Sequence, residues 1–307
     1  MLHYSLKKLI CCIYPLLFLF PENTIAQSLE PRLYSNAPVG MNFLIAGYVY
    51  SEGAPSINPE AGLDDPHIII QSPFLAYARF FGLMGHSAKV DLVLPAVSLD
   101  GHALSEGETL TRKTTGTADV KARISWNILG APALGKKAFA AYRQNTIVGI
   151  SLQLTAPTGQ YDGTKLVNIS ANRWAFKPSI GVSKALGDFI AELSAQAEFY
   201  TDNHDFYGGG TRTQDPIYSM QTHLIYTIRP GMWGAFDATY YQGGETATNG
   251  IHNDDAFDNS RLGLTFAAPL SRTQSLKFNY SNGVITRAGS NFDMYTLAWQ
   301  YRWGGKP

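Results

Sequence analysis

The chain has 307 residues, 24 basic and 24 acidic side chains, and only 16% charged residues. A neutral balance argues against a nucleic-acid-binding protein, whose affinity depends on basic side chains that neutralise phosphates. The 29 glycines, 17 tyrosines and 12% aromatic content favour many strands and turns over helices.

Residues 1–26 have the three parts of a secretory signal peptide. Two lysines precede an apolar run over residues 9–20, and Ala26 ends a small-x-small cleavage motif. The run is too short to span a membrane as a mature helix, although a retained N-terminal anchor is the alternative. Both cysteines of the chain lie within this run. We therefore expect Sec-dependent export and a cysteine-free mature chain.

The next long region, residues 41–303, alternates between apolar and polar side chains in about a dozen segments of roughly ten residues, the length of a tilted strand that crosses a bilayer. In residues 188–200, for example, Phe189 and Leu193 alternate with Glu192 and Glu198, which is the period-two pattern of a β-strand with two unlike faces. Further segments lie at about 41–50, 74–82, 87–94, 119–128, 145–156, 174–184, 217–228, 232–241, 259–268, 275–281 and 295–303.

The connections between these segments alternate in length. Short turns are predicted at 186–188, 229–231 and 269–272, and long polar loops at about 51–66, 98–116, 157–172, 201–215 and 243–257. This arrangement is typical of outer-membrane barrels, whose short turns are periplasmic and whose long loops are extracellular. Residues 130–144 break the rule, because they form a long connection where a short turn is expected.

These patterns predict an all-β fold, a transmembrane antiparallel up-and-down β-barrel of about 12 strands with both termini on the periplasmic side. The alternative is a soluble, secreted β-sandwich or barrel, in which alternation also occurs. Clustering of aromatic residues near strand ends, as in interfacial girdles, favours the membrane barrel. Residues 27–40, which lack alternation, form either a plug in the lumen or a periplasmic lead, and residues 304–307 form a short C-terminal tail.

In a membrane barrel the apolar face contacts lipid and the polar face lines the lumen. We therefore expect the charged and ionisable strand residues to lie in the lumen: Arg79, Lys89, Asp91, Lys121, Arg123, Lys177, Glu192, Glu198, His223, Asp237, Arg261, Lys277 and Arg302. Asp119 belongs to the same polar set. Four tyrosines are expected to offer stacking surfaces to a solute in the lumen: Tyr48, Tyr50, Tyr77 and Tyr241.

One block, PTGQYDGTKLVNISANRWAFKPSIGVS over residues 157–183, resembles a diagnostic segment of the outer-membrane transporter family named for the MetA pathway of phenol degradation. The resemblance implies an outer-membrane channel, associated by name with uptake of aromatic or other hydrophobic compounds. The residues that match the motif are Pro157, Thr158, Gly159, Tyr161, Asn172, Arg173, Trp174, Pro178 and Gly181.

The sequence thus favours a passive channel or transporter for small, hydrophobic or aromatic compounds. The alternatives are a structural or adhesive barrel whose lumen is filled by ion pairs, and an outer-membrane lipid hydrolase. We expect no enzyme activity, since no Ser–His–Asp arrangement is evident on a lipid-facing surface. We also expect no catalytic residues, cofactor or metal. The expected partners are membrane lipids and lipopolysaccharide, a small solute and the barrel-assembly machinery, and no nucleic acid.

Overall fold

The computed structural model describes residues 29–56, 63–105, 108–287 and 289–306. The predicted signal peptide lies outside the described residues. Within those ranges no helix has the length and apolar character needed to cross a membrane. The helix α1, Lys136–Phe139, has four residues. The strands are β1 Met41–Ser56, β2 Leu63–Leu83, β3 His86–Ser105, β4 Glu108–Thr117, β5 Val120–Leu129, β6 Thr146–Ala156, β7 Ala175–Leu186, β8 Phe189–Tyr200, β9 Asn203–Phe206, β10 Gly210–Gln214, β11 Ile217–Arg229, β12 Met232–Gly243, β13 Thr246–Thr248, β14 Ile251–His252, β15 Phe257–Pro269, β16 Gln274–Ile285 and β17 Gly289–Gly304.

The strands form a closed antiparallel barrel. β1 pairs with β2 on one side and with β17 on the other, so the sheet has no free edge at its two ends. β4 and β5 share one position, because both pair with β3, β4 along residues 96–105 and β5 along residues 88–93. The barrel therefore has 12 strand positions, as the sequence predicts. β9, β10, β13 and β14 form a separate small sheet beyond the barrel.

The period-two pattern determines which face of each strand points outwards. On β8, Phe189, Leu193 and Phe199 are 44%, 47% and 41% exposed, whereas Glu192 and Glu198 are buried. Because the bilayer core offers no hydrogen-bonding partner, the backbone groups pair between strands and the apolar side chains face lipid. The glutamates point inwards.

Two of the predicted loops are largely strand. β1 continues to Ser56 and β2 begins at Leu63, so most of the stretch 51–66 extends the barrel wall. The stretch 98–116 is likewise part of the β3–β4 hairpin. Most of its outward residues are polar, and Ser98 and Thr115 pair across the strands with 3.0 Å between their hydroxyl oxygens. The prediction of loops was wrong here because polar outward side chains are typical both of loops and of strands that continue beyond the lipid.

The long connection between β5 and β6, residues 130–145, packs across one end of the barrel. The Leu134 carbonyl accepts a hydrogen bond from the Val39 N–H, and the Ala131 carbonyl accepts one from the Ser87 N–H, both at 2.8 Å. The Lys136 N–H donates to the Lys306 carbonyl at 2.9 Å. This connection therefore holds together the start of β1, the β2–β3 turn and the C-terminal end of the chain.

Candidate functional site: the barrel lumen

The residues that precede β1 enter the lumen, and Tyr34 occupies a socket in the barrel wall. Gly149 on β6 and Gly181 on β7 pair directly across the two strands. A Cβ atom at these positions would lie only 2.1 Å and 2.5 Å from the Tyr34 ring. The Tyr34 hydroxyl is 2.9 Å from the Ser179 Oγ. The two glycines therefore provide the space that the ring fills.

Leu29 occupies a similar position against β15. A Cβ atom at Gly263 would lie 2.4 Å from Leu29 Cδ1. We refer to residues 29–40 as the N-terminal segment. The lumen wall thus matches the shape of this segment at three inward-facing glycines.

Glu30 joins the segment to a charged cluster on β3 and β5. Arg123 forms an ion pair with Glu30 and also contacts Asp91, with 3.1 Å between Nη2 and Oδ1. Lys89 Nζ lies 3.4 Å from Asp91 Oδ2. Glu30 precedes the first strand. Burial would raise the pKa of its carboxyl, but the charges of Arg123, Lys177 and Lys89, with a hydrogen bond from Arg123, lower that pKa to about 2.

Arg32 anchors the segment on the neighbouring wall. Its backbone N–H donates to Glu192 Oε2 at 2.7 Å, and the other oxygen of Glu192 accepts a 2.8 Å hydrogen bond from Ser183. The Arg32 guanidinium lies 4.9 Å from the centre of the Trp233 ring, within the range of a cation–π interaction. Charge, hydrogen bonding and ring contacts therefore all hold the segment in place.

His223 and Asp237 form a second buried polar group on β11 and β12. His223 Nδ1 lies 2.6 Å from Asp237 Oδ1, and Thr265 donates to Asp237 Oδ2 at 2.5 Å. Asn279 in turn donates to the Thr265 hydroxyl at 2.9 Å. The histidine therefore faces the lumen, away from the lipid surface on which a lipid hydrolase would act.

The structure places most of the charged residues expected in the lumen on the inward face. Arg79 is a correction, because it is exposed on the same face of β2 as Leu75 and Tyr77. It lies five residues before Met84, near the Met84–Gly85 turn at the end of the barrel, where a long basic side chain can reach the headgroups at little cost. Arg302 lies on the inward face but at the periplasmic rim, where it donates to the Arg272 carbonyl at 2.8 Å. The inward-facing set is Lys89, Asp91, Lys121, Arg123, Lys177, Glu192, Glu198, His223, Asp237, Arg261 and Lys277.

Three of the four tyrosines expected in the lumen also face outwards. Tyr48 and Tyr77 are 42% and 37% exposed, and Tyr50 lies on the same face of β1 as Tyr48. Tyrosine is favoured at the membrane interface because its ring contacts lipid while its hydroxyl remains hydrogen-bonded. Tyr241 is buried on the inward face and packs edge-on against Phe257, with 5.7 Å between the ring centres.

The inward face of β2, apart from the buried Ser72, and part of the inward face of β1 are apolar. Alternation is weak in the sequence of both strands, since PFLAYARFF and NFLIAGYVY contain apolar residues on both faces. That loss of alternation is the signal that could have identified this wall from the sequence. We refer to it as the apolar strip, and its members are Phe43, Ile45, Ile68, Ile70, Phe74, Ala76, Ala78 and Phe80.

The apolar strip meets an apolar cluster at the extracellular mouth. Val167 and Ile169, from the β6–β7 loop, pack there against inward-facing residues of the barrel wall. The loop therefore folds into the mouth and covers the upper end of the strip. The wall residues of this cluster are Ile68, Ile70, Val97, Leu99 and Phe292.

Asp119 holds the first half of the family-like block. Its carboxylate accepts hydrogen bonds from the Gly159 N–H at 2.9 Å, the Ser170 hydroxyl at 2.7 Å and the Ala171 N–H at 3.2 Å. Asp119 lies at the break between β4 and β5. The Pro157–Thr158–Gly159 turn is thereby fixed to the barrel wall, with Val120 N–H donating to the Thr158 hydroxyl at 3.0 Å.

The second half of the block joins the β6–β7 loop to the small sheet. Asn203 of β9 donates to the Tyr161 hydroxyl at 2.9 Å and accepts from the Asn172 amide at 3.0 Å. The buried Arg173 guanidinium lies 4.6 Å from the centre of the Tyr200 ring, while Trp174 is 45% exposed. Pro178 and Gly181 lie further along, on β7. These residues therefore order the loop that covers the mouth.

The fold resembles known outer-membrane barrels. A crystal structure of an outer membrane channel from Pseudomonas putida F1 has a TM-score of 0.76 and 20% identity, over 90% of this chain and 100% of that chain. The transport unit of the autotransporter AIDA-I from Escherichia coli has a TM-score of 0.52 and 10% identity, over 94% of this chain and 96% of that chain. At these identities the likeness concerns the fold alone.

A sequence model of the family described as "Putative MetA-pathway of phenol degradation" matches residues 67–301. The matched region begins on β2 and ends on β17, and it includes the whole β6–β7 loop. No curated protein sequence matches the chain.

Proposed function

This chain belongs to the family of the MetA pathway of phenol degradation, and from that premise we propose that it is a passive outer-membrane channel for small hydrophobic or aromatic compounds. The observation that carries the proposal is the apolar strip. A lumen that conducts only ions and polar solutes has no need of an extended apolar wall, because each apolar side chain there contacts water at a free-energy cost.

The strip gives an apolar solute a surface along the length of the lumen. Ile68 and Ile70 lie at the extracellular mouth, Phe74 lies further down β2, and Phe80 lies near the periplasmic turn. Phe80 packs edge-on against Phe43 of β1 with 5.7 Å between ring centres. A solute that leaves one apolar contact therefore meets the next before it enters the polar half of the lumen.

The N-terminal segment occupies the opposite half, and we propose that it acts as a plug that restricts the passage. The segment is held by contacts with Arg123, Glu192 and the Tyr34 socket, each of which contributes a modest free energy. Part of the segment can therefore leave the wall while the barrel stays folded. The same contacts also support the second candidate function, a barrel with a filled lumen whose loops carry the activity.

Conductance in planar bilayers separates the two candidates. Refolded mature protein is expected to give discrete channel openings, and removal of residues 27–34 is expected to enlarge them. A silent, heat-modifiable barrel in both forms would contradict the channel and support the filled barrel.

Uptake in cells tests the solute class. A deletion strain that expresses the chain from a plasmid is expected to take up labelled phenol and toluene faster than the same strain with an empty plasmid. The uptake rate of a polar sugar of similar mass is expected to be the same in both. Equal rates for the sugar and the aromatic compounds would contradict the proposal.

We also propose that the chain is exported with cleavage after Ala26, inserted by the barrel-assembly machinery and surrounded by lipid and lipopolysaccharide. N-terminal sequencing of protein from outer membranes is expected to begin at Gln27. Depletion of the assembly machinery is expected to remove the heat-modifiable form, whereas an unchanged yield would contradict that route.

A further inference from the structure

Lys277 is an inward-facing charge on β16, separated from the apolar strip by β17. It pairs with Ala267 on β15 and Ala298 on β17, and both alanines are buried. The neighbouring Phe278 faces outwards, so Lys277 lies on the inward face, and its side chain is exposed there. Its ammonium group therefore reaches open space inside the barrel.

The acidic groups near Lys277 are engaged elsewhere. Its electrostatic environment includes the carboxylates of Glu30 and Asp237. Glu30 forms an ion pair with Arg123, and Asp237 lies 2.6 Å from the His223 Nδ1. Among the ion pairs of the described residues, none within 4.0 Å involves Lys277. A positive charge in the lumen without a bound carboxylate is suited to an anionic ligand.

A row of paired residues connects Lys277 to an aromatic ring. Lys277 pairs with Ala298, Ala298 with Gly47, and Gly47 with Phe74, all on the inward face. The Phe74 ring lies over Gly47, since a Cβ atom there would be 2.2 Å from Phe74 Cζ. Three strand spacings separate the backbones of Lys277 and Phe74 by roughly 14 Å. Only small residues lie between the ammonium and the ring.

The contacts of the N-terminal segment lie beside this row and not on it. Its side chains and backbone contact β5 at Arg123, β8 at Glu192 and β12 at Trp233, and Tyr34 fills the socket on β6 and β7. Leu29 lies against Gly263 on β15, and the Gly40 N–H donates to the Phe80 carbonyl on β2 at 2.8 Å. None of these contacts is made at the four positions of the row, Lys277, Ala298, Gly47 and Phe74. A solute can therefore use it while the segment remains in place.

We propose that Lys277 and Phe74 form a binding site for aromatic carboxylates, with the carboxylate on Lys277 and the ligand ring over Ala298, against the Phe74 ring that covers Gly47. The inference rests on the proposed channel function and adds amphipathic aromatic monoanions as the class of solute that the channel binds best. Neutral aromatic compounds use the same apolar strip but gain nothing from the ammonium group.

Equilibrium dialysis of detergent-solubilised protein tests the site, with labelled benzoate and its neutral counterpart benzyl alcohol as probes. Lys277→Gln is expected to weaken benzoate binding about fivefold, the factor for loss of one unit charge at roughly 4 Å in water, and to leave benzyl alcohol unchanged. Phe74→Ala is expected to weaken both probes. Lys137→Gln, an exposed lysine on α1, is the matched control and leaves both unchanged.

The outcomes distinguish this inference from the channel proposal. Benzoate binding that is equal in Lys277→Gln and in the natural protein overturns the site, while phenol and toluene uptake still supports the channel. Absence of benzoate binding to the natural protein also overturns it. Lys277→Arg keeps the charge and is expected to retain benzoate binding. Heat-modifiability shows whether each variant is folded, and the benzoate affinity of folded Lys277→Gln and Lys277→Arg then shows the effect of the charge.

Discussion

At the scale of single residues, glycine has a specific role in this barrel. A strand glycine is usually unfavourable because it offers no side chain to pack. Gly149 and Gly181 instead lie opposite each other, and together they make the space that the Tyr34 ring occupies. The conformational freedom of glycine is not what matters here; the absence of a Cβ atom is. The socket therefore depends on small size at two paired positions.

Gly149→Ala is expected to displace Tyr34, because the new methyl group would lie 2.1 Å from the ring. We expect larger single-channel conductance and faster proteolysis of the N-terminal segment, with the barrel still heat-modifiable. Gly234→Ala, where the nearest atom is an ordinary 3.7 Å away, is the matched control. In a Tyr34→Ala background the Gly149 change should add nothing, and an additive effect would contradict the socket.

The lowered pKa of Glu30 predicts how the N-terminal segment responds to acid. Its carboxyl pKa is about 2 when the segment is in place, below the usual 4.5. A lowered pKa means that the carboxylate stabilises this arrangement fully above about pH 4.5, and that the contribution is lost as the pH falls through about 2. Conductance is therefore expected to stay constant from neutral pH to about 4.5 and to rise at lower pH.

Glu30→Gln is the control for this pH dependence, since it removes the titrating group and keeps the shape. It is expected to raise conductance at neutral pH and to flatten the change below about pH 4.5. Opening of the natural protein between pH 7 and 5 would count against a role for Glu30.

At the scale of elements, the β6–β7 loop is ordered by contacts with the wall and with the small sheet. Asp119 accepts three hydrogen bonds from this loop. Val167 and Ile169 then bury apolar surface in the mouth. The family-like block thus serves to place a folded loop over the entrance to the apolar strip.

Asp119→Ala is expected to release the loop, because it leaves buried donors without their acceptor at about 1–3 kcal/mol each. Limited proteolysis on whole cells should cleave residues 157–174 faster than in the natural protein. Asp202→Ala, at an exposed loop position, is the control. Unchanged cleavage in Asp119→Ala would show that the apolar contacts alone hold the loop.

At the scale of the whole molecule, the barrel closes with both ends of the described chain at the same edge. Met41 of β1 pairs with Gly304 of β17, and the connection 130–145 packs beside them. The loops and the small sheet lie at the opposite edge. By the convention of outer-membrane barrels, the first edge is periplasmic and the second extracellular.

Cysteine labelling tests this orientation. Thr164→Cys lies on the exposed β6–β7 loop, and Asp188→Cys lies in the β7–β8 turn. An impermeant thiol reagent on whole cells is expected to modify the first and not the second, and both should react after the cells are lysed. The reverse labelling pattern would contradict the orientation.

The barrel, its 12 strand positions and the outward face of most strands could be predicted from the amino-acid sequence, and the expected family is confirmed. Alternation is a local property that the bilayer enforces on every strand, so it can be read without the fold. It failed at Arg79 and the three outward tyrosines, because near the membrane edge a polar tip on a long or aromatic side chain no longer identifies the inward face.

The contents of the lumen became evident only from the folded barrel. The contacts of Glu30 with Arg123 and of Tyr34 with Gly149 and Gly181 join residues that are distant in sequence. Closure also places β1, which carries part of the apolar strip, beside β17. No periodic pattern encodes these contacts, because each depends on which strands the closed barrel brings face to face.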